Sequence, residues 1–190
     1  MFEKLKENWQ REEVREISRR YFFSNGFDGT LTATGITVGS YLSGVETGFT
    51  VFKVAVGAGI GLATSGVWSV WEIEKAEKLA QVHQLEDQMK EKLEDTSVME
   101  QKMQGRKINA LSSGIGPVLG VMIPSLPFLI EGTVFTMLQA TIASVVLAVL
   151  QLSAFGAYMA KISQQDILKS AARMGLAGLV VAALNIILPG

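Results

Sequence analysis

Two groups of residues have the types and spacing to handle a metal ion. Asp28 is the one charge in the stretch from Tyr21 to Val45. A carboxylate at membrane depth costs about 2.5–3.5 kcal/mol on insertion scales, so such a residue is a functional candidate by default. Thr32, Gly35 and Gly39 follow it at i+4, i+7 and i+11. That face is polar and then small, suited to a hydrated path or to close helix contact. The plainer alternative is an interfacial aspartate hydrated by headgroups. The second group is His83, Glu86 and Asp87, at i, i+3 and i+4. One imidazole and two carboxylates on one helix face suit a divalent first-row metal. Glu91, Glu94, Met99, Glu100 and Met103 are candidates to complete such a site from neighbouring helices, with methionine adding a soft ligand. The alternative here is a solvated helix whose acids pair with its own lysines.

The elements that must carry these residues follow from the distribution of charge. Of 35 charged residues in 190, 11 lie in residues 1–20 and 16 in residues 72–107. The other 134 residues hold only 8. Mean hydropathy is +0.31. A soluble domain spreads charge over its surface; charge gathered in blocks between long uncharged runs is a membrane pattern. A spanning helix needs roughly 20 apolar residues. The runs predict an all-α membrane protein with five transmembrane helices, at about 22–44, 48–71, 108–130, 133–159 and 168–188.

Basic residues set the orientation. With five spans, sixteen of the seventeen Lys and Arg fall on one side: six in residues 4–20, seven in 75–107, and Lys161, Lys169 and Arg173. Lys53 is the exception, within a span near the other side, where it can snorkel outward. The N-terminus is therefore expected in the cytoplasm and the C-terminus outside.

The chain divides accordingly. Residues 1–21 read as a cytoplasmic interfacial amphipathic helix, with Phe2, Leu5, Trp9, Val14, Ile17 and Tyr21 on its apolar side. A direct metal role for Glu12, Glu13 or Glu16 is a weaker alternative. Residues 22–71 hold the first two transmembrane helices, 72–107 a charged helical insert resembling a metal-binding platform, and 108–190 the last three helices. The insert has no Gly or Pro before Gly105 and is rich in good helix formers. Span two is thus expected to run on into the cytoplasm, with a break near Asp95–Ser97 and a cap at Thr96 or Ser97. Ala76, Leu79, Val82, Leu85, Met89 and Leu93 form a narrow apolar stripe that needs a partner, most simply a second copy. Gly57 and Gly61 form a G-x-x-x-G pair suited to close helix packing. Gly116-Pro117, Pro124 and Pro127 interrupt span three, either loosening backbone carbonyls as in broken transporter helices or simply kinking a packing helix.

Other chemistries are excluded. There is no cysteine and one histidine, so no disulfide, thiolate ligand or multi-histidine site. No H-E-x-x-H, P-loop or G-x-S-x-G occurs, and an enzyme is not expected. Net charge is −1, which gives no field for nucleic acid. The early charges and the lack of a short apolar core argue against a signal peptide.

Arg20-Tyr21-Phe22-Phe23-Ser24-Asn25-Gly26-Phe27-Asp28-Gly29 resembles the span-one signature of the vacuolar iron transporter family. Ser69-Val70 resembles that family's junction between span two and the cytoplasmic helix. Residues 115–127, Ile-Gly-Pro-Val-Leu-Gly-Val-Met-Ile-Pro-Ser-Leu-Pro, resemble its third span. The resemblance covers residues 19–190 and marks a divergent, prokaryotic-type member. It implies a homodimer with the pathway at the two-fold interface, lined by spans one and two. It implies export of Fe²⁺ or Mn²⁺ from the cytosol, with proton exchange in some members; Zn²⁺ and Co²⁺ are further candidates for the bound ion. It assigns Asp28 to the pathway and the insert's Glu and Met residues to a cytoplasmic metal platform. Leu62 falls near the family's pathway methionine and Gly66 near its glutamate, so this chain departs from the pattern at both. The expected partners are membrane lipid, a second copy and divalent metal ions, with no resident cofactor. The alternative is a non-transporting membrane scaffold or metal sensor whose cytoplasmic helices bind ions or a partner.

Overall fold

The computed structural model describes residues 12–90 and 97–188, with side chains over 12–90 and 105–188. The described chain forms five α-helices: α1 (Glu12–Leu42), α2 (Gly48–Met89), α3 (Ser97–Ser125), α4 (Met137–Ser163) and α5 (Ile167–Ile187). A 3₁₀ turn, Leu126–Ile130, extends α3 before the chain reverses into α4. Four segments are long and apolar enough to cross a membrane: α2, Gly105–Ile130, α4 and α5. Five were expected, and α1 falls short on hydropathy rather than on length.

The reason lies in what α1 packs against. It touches all four other helices, α3 most extensively. Its buried face is built from Gly26, Gly29, Thr30, Ala33, Thr34 and Thr37. The threonine hydroxyls are satisfied within the helix: Thr30 donates to the Gly26 carbonyl at 2.8 Å and Thr34 to that of Thr30 at 2.9 Å. A helix enclosed by other helices gains by close approach rather than by greasiness. At Gly29 an added Cβ would lie 2.6 Å from the Pro117 carbonyl oxygen, so the backbones of α1 and α3 are in direct contact.

Residues 12–21 are not a separate interfacial helix. They continue into α1 with no break at residue 21. Their partners explain why: Ser18 bonds Asn109 on α3, and Glu13 pairs with Lys78 on α2. Residues 1–11, with Phe2, Leu5 and Trp9, lie outside the described residues.

Helix α2 has 42 residues. At 1.5 Å per residue it is roughly 63 Å long, about twice a bilayer core. The second span thus continues as one helix beyond the membrane-spanning stretch, as expected, but ends earlier than the break near residues 95–97. Lys90 adopts the left-handed conformation (φ 55°) immediately after Met89. Leu93, Glu91, Glu94 and Thr96 lie outside the described residues. The stripe turned inward differs from the apolar one. Val70, Glu74, Lys78 and Val82 are buried, whereas Ala76 and Met89 are exposed.

Local chemistry sets the other ends. Thr136 and Gln139 form a reciprocal capping box at the start of α4. Asp166 caps α5 by accepting from the Lys169 amide at 3.1 Å. The Gly48 amide donates to Glu131 at 2.9 Å, placing a carboxylate at the positive end of α2.

Candidate functional site

A cavity of about 250 Å³ opens where α1, α2 and α3 meet. Tyr21, Asn25 and Asp28 line it from α1, Pro117 from α3, and Leu62, Ser65, Gly66, Ser69, Val70 and Ile73 from α2. Asp28 and Leu62, two of the expected pathway residues, therefore meet in one place.

Its shape is set by a proline. Pro117 has no N–H, so the carbonyl four residues back, that of Ser113, loses its helical donor. Asn25 supplies a replacement: its Nδ2 donates to the Ser113 oxygen at 3.1 Å and also to the Ser113 hydroxyl. The freed carbonyl thus anchors an α1 side chain to α3. Gly66 makes room for this junction. A Cβ there would lie 2.8 Å from Ser113 Oγ and 3.1 Å from Asn25 Nδ2.

Asp28 is exposed on the single chain. Among the described residues no side chain hydrogen-bonds to it or pairs with it. The cavity thus presents a carboxylate, hydroxyls and a carboxamide, without sulfur or imidazole. Leu62, Gly66, Val70, Ile73 and Pro117 complete the lining, so the polar groups available to an ion are mainly oxygens, which suit a hard divalent ion better than a soft one.

Thr32, Gly35 and Gly39 continue the Asp28 face but do not line this cavity. Gly35 and Gly39 lie opposite Asn185 of α5, whose atoms would be 3.7 and 4.0 Å from added Cβ atoms. His83 and Asp87 are exposed on the projecting part of α2, with Glu86 half-buried. Among the described residues no three His, Asp or Glu side chains converge to hold a metal. In a single chain this face is therefore not a closed ligand set. Met99, Glu100 and Met103 lie in the first turns of α3, and their side chains lie outside the described residues.

The structure adds a group that the sequence analysis passed over. Glu74, 5% exposed, accepts from Asn109 Nδ2 at 3.0 Å and from the Tyr21 hydroxyl at 3.3 Å. Asn109 Oδ1 in turn accepts from Ser18 Oγ at 2.6 Å. One turn further out, the buried Lys78 pairs with Glu13 at 3.1 Å. The available signal was the four-residue spacing of Val70, Glu74, Lys78 and Val82, an acid and a base in line with two valines.

Comparison with known proteins places this architecture. An uncharacterized protein of Methanocaldococcus jannaschii is 25% identical over 172 residues, covering 89% of this chain and 87% of the relative. Residues 69–188, from the last cavity turns of α2 to the end of α5, match the VIT family. That match spans 120 of 190 residues, and the chain belongs to the VIT family.

Proposed function

We propose that this protein is an integral membrane transporter that exports a divalent metal ion, Fe²⁺ or Mn²⁺, from the cytosol. The observation that carries the reading is the cavity between α1, α2 and α3, which holds an Asp28 without a partner among the described residues beside the Ser65 and Ser69 hydroxyls. Family membership supports a membrane metal transporter; the cavity supports an ion with a taste for oxygen ligands. A carboxylate there can hold a metal or a proton, and that competition is the simplest basis for proton exchange. The test is flux into proteoliposomes of Mn²⁺, Fe²⁺, Co²⁺ and Zn²⁺, with a trapped pH indicator. Uptake of none of the four would sink the reading.

We read α1 as a fifth span. It lies among four apolar helices, and its low hydropathy reflects its Gly/Thr packing face. With five spans the basic residues place the N-terminus in the cytoplasm, the C-terminus outside, and the projecting part of α2 on the cytoplasmic side. The cell membrane is the expected location.

We read the working unit as a homodimer. Added Cβ atoms at Gly57 and Gly61 would meet nothing within 4 Å, and Ile60 and Trp68 beside them are 62% and 72% exposed. This face borders the cavity, so a second copy across it would close the open side near Asp28. Replacing Gly57 and Gly61 by Leu is expected to shift the detergent-solubilised protein from dimer to monomer with helicity unchanged, as measured by light scattering and circular dichroism. An unaltered dimer would move the interface elsewhere.

The projecting face of α2 is read as a cytoplasmic ion platform completed between copies. Changing His83 and Glu86 together to Ala should weaken calorimetric Mn²⁺ or Fe²⁺ binding while leaving the melting temperature in place. Binding equal to wild type would leave this segment a plain solvated helix.

A further inference from the structure

Glu74 is a buried carboxylate whose described partners are all neutral. Asn109 and Tyr21 donate to it, and among the described residues no cation lies within ion-pairing distance of it. Lys78, the nearest basic residue along the same face, is committed to Glu13. Removing a carboxylate from water costs several kcal/mol unless an opposite charge compensates it. Neutral donors do so only in part. As a mere strut between three helices, an amide would serve at lower cost.

The surrounding groups are also able to change sides. The Tyr21 and Ser18 hydroxyls can rotate their protons away and present lone pairs. Asn109 can exchange its oxygen and nitrogen by turning its carboxamide, because Ser18 both donates and accepts. The groups that now donate around Glu74 then become oxygen ligands, with little movement of their heavy atoms. Tyr21 also lines the Asp28 cavity, as do Val70 and Ile73 on the neighbouring turn of α2. The two carboxylates therefore share a wall.

We propose that Glu74, Asn109 and Tyr21 form a second cation site, which a divalent ion with a preference for oxygen ligands occupies between the cytoplasm and Asp28. The inference rests on the transporter reading and adds a step to it. Mn²⁺ is the probe, because it accepts carboxylate and amide oxygens and is visible by electron paramagnetic resonance.

The experiment uses the full chain, in detergent for binding and in liposomes for flux. Glu74→Gln keeps the size and can still accept from Asn109 while donating to Tyr21. It is expected to lose one bound Mn²⁺ per chain and to raise the half-saturating Mn²⁺ concentration at the cytoplasmic side at least about tenfold. The maximal rate should change far less. Asn109→Asp adds a carboxylate oxygen and is expected to tighten Mn²⁺ binding, which a structural role would not produce. It also stands as an independent test should Glu74→Gln fold poorly. If Glu74→Gln keeps wild-type stoichiometry and half-saturation, or if folded Asn109→Asp binds Mn²⁺ no better, the second site is wrong while the transporter reading stands. If the wild type neither binds nor moves Mn²⁺, both fall together.

Discussion

Asp28→Asn is expected to abolish divalent-metal flux, by a factor of 100 or more, equivalent to about 2.7 kcal/mol on the barrier. Asparagine keeps the shape and removes the charge. Because Asp28 has no partner among the described residues, the substitution leaves no buried group unsatisfied. The melting temperature and the dimer should therefore be unchanged, which separates this loss from misfolding. The measurement is initial Mn²⁺ uptake in proteoliposomes at matched protein density. Wild-type uptake by the variant would reduce Asp28 to an interfacial residue and remove the main support for the pathway.

Gly29→Val should fail at an earlier stage, in folding. A Cβ at this position would meet the Pro117 oxygen at 2.6 Å and the Pro117 Cα at 2.8 Å, both backbone atoms. Overpacked cores cost about 1–3 kcal/mol where side chains can shift. Here only a separation of two helices relieves the clash, so the cost is expected above about 3 kcal/mol. The variant should aggregate on extraction or melt far below wild type in a detergent thermal-shift assay. Gly39→Val, on the same helix, is the control, since an added Cβ there would meet only Asn185 Oδ1, at 4.0 Å. Equal melting of the two variants would contradict the α1–α3 contact.

How far these features could be read from sequence depends on the kind of information each requires. The four apolar helices were visible because span length and hydropathy are one-dimensional properties. The continuation of α2 past its apolar stretch was visible for the same reason: no Gly or Pro occurs between Gly66 and Gly105. Asp28 stood out because a charge in an uncharged run is a local anomaly. The junction at residue 21 was misread because amphipathicity of residues 12–21 indicates a buried face without indicating what covers it. The cover is α2 and α3, supplied from residues 53 and 91 positions away in Tyr21–Glu74 and Ser18–Asn109. Glu74 escaped for a related reason. Its helix carries an apolar stripe along a different set of positions, and a glutamate among many charges is no local anomaly. Whether Gly35 and Gly39 meet a path or a helix depended on Asn185, about 150 residues later in the chain, which no local pattern announces.

The single helix α2 also has a mechanical consequence. Gly66 in the cavity wall and Met89 at the far end belong to one uninterrupted rod, separated by roughly 35 Å at 1.5 Å per residue. There is no joint between them at which motion could be absorbed. A tilt of about 5° pivoting at Gly66 carries the far end about 3 Å, a displacement comparable to the width of a metal's coordination shell. Conversely, a force that draws two far ends together acts with a long arm on the wall beside Asp28. The rod makes its projecting end and the cavity wall the two ends of one lever, so that rotation at either is delivered to the other.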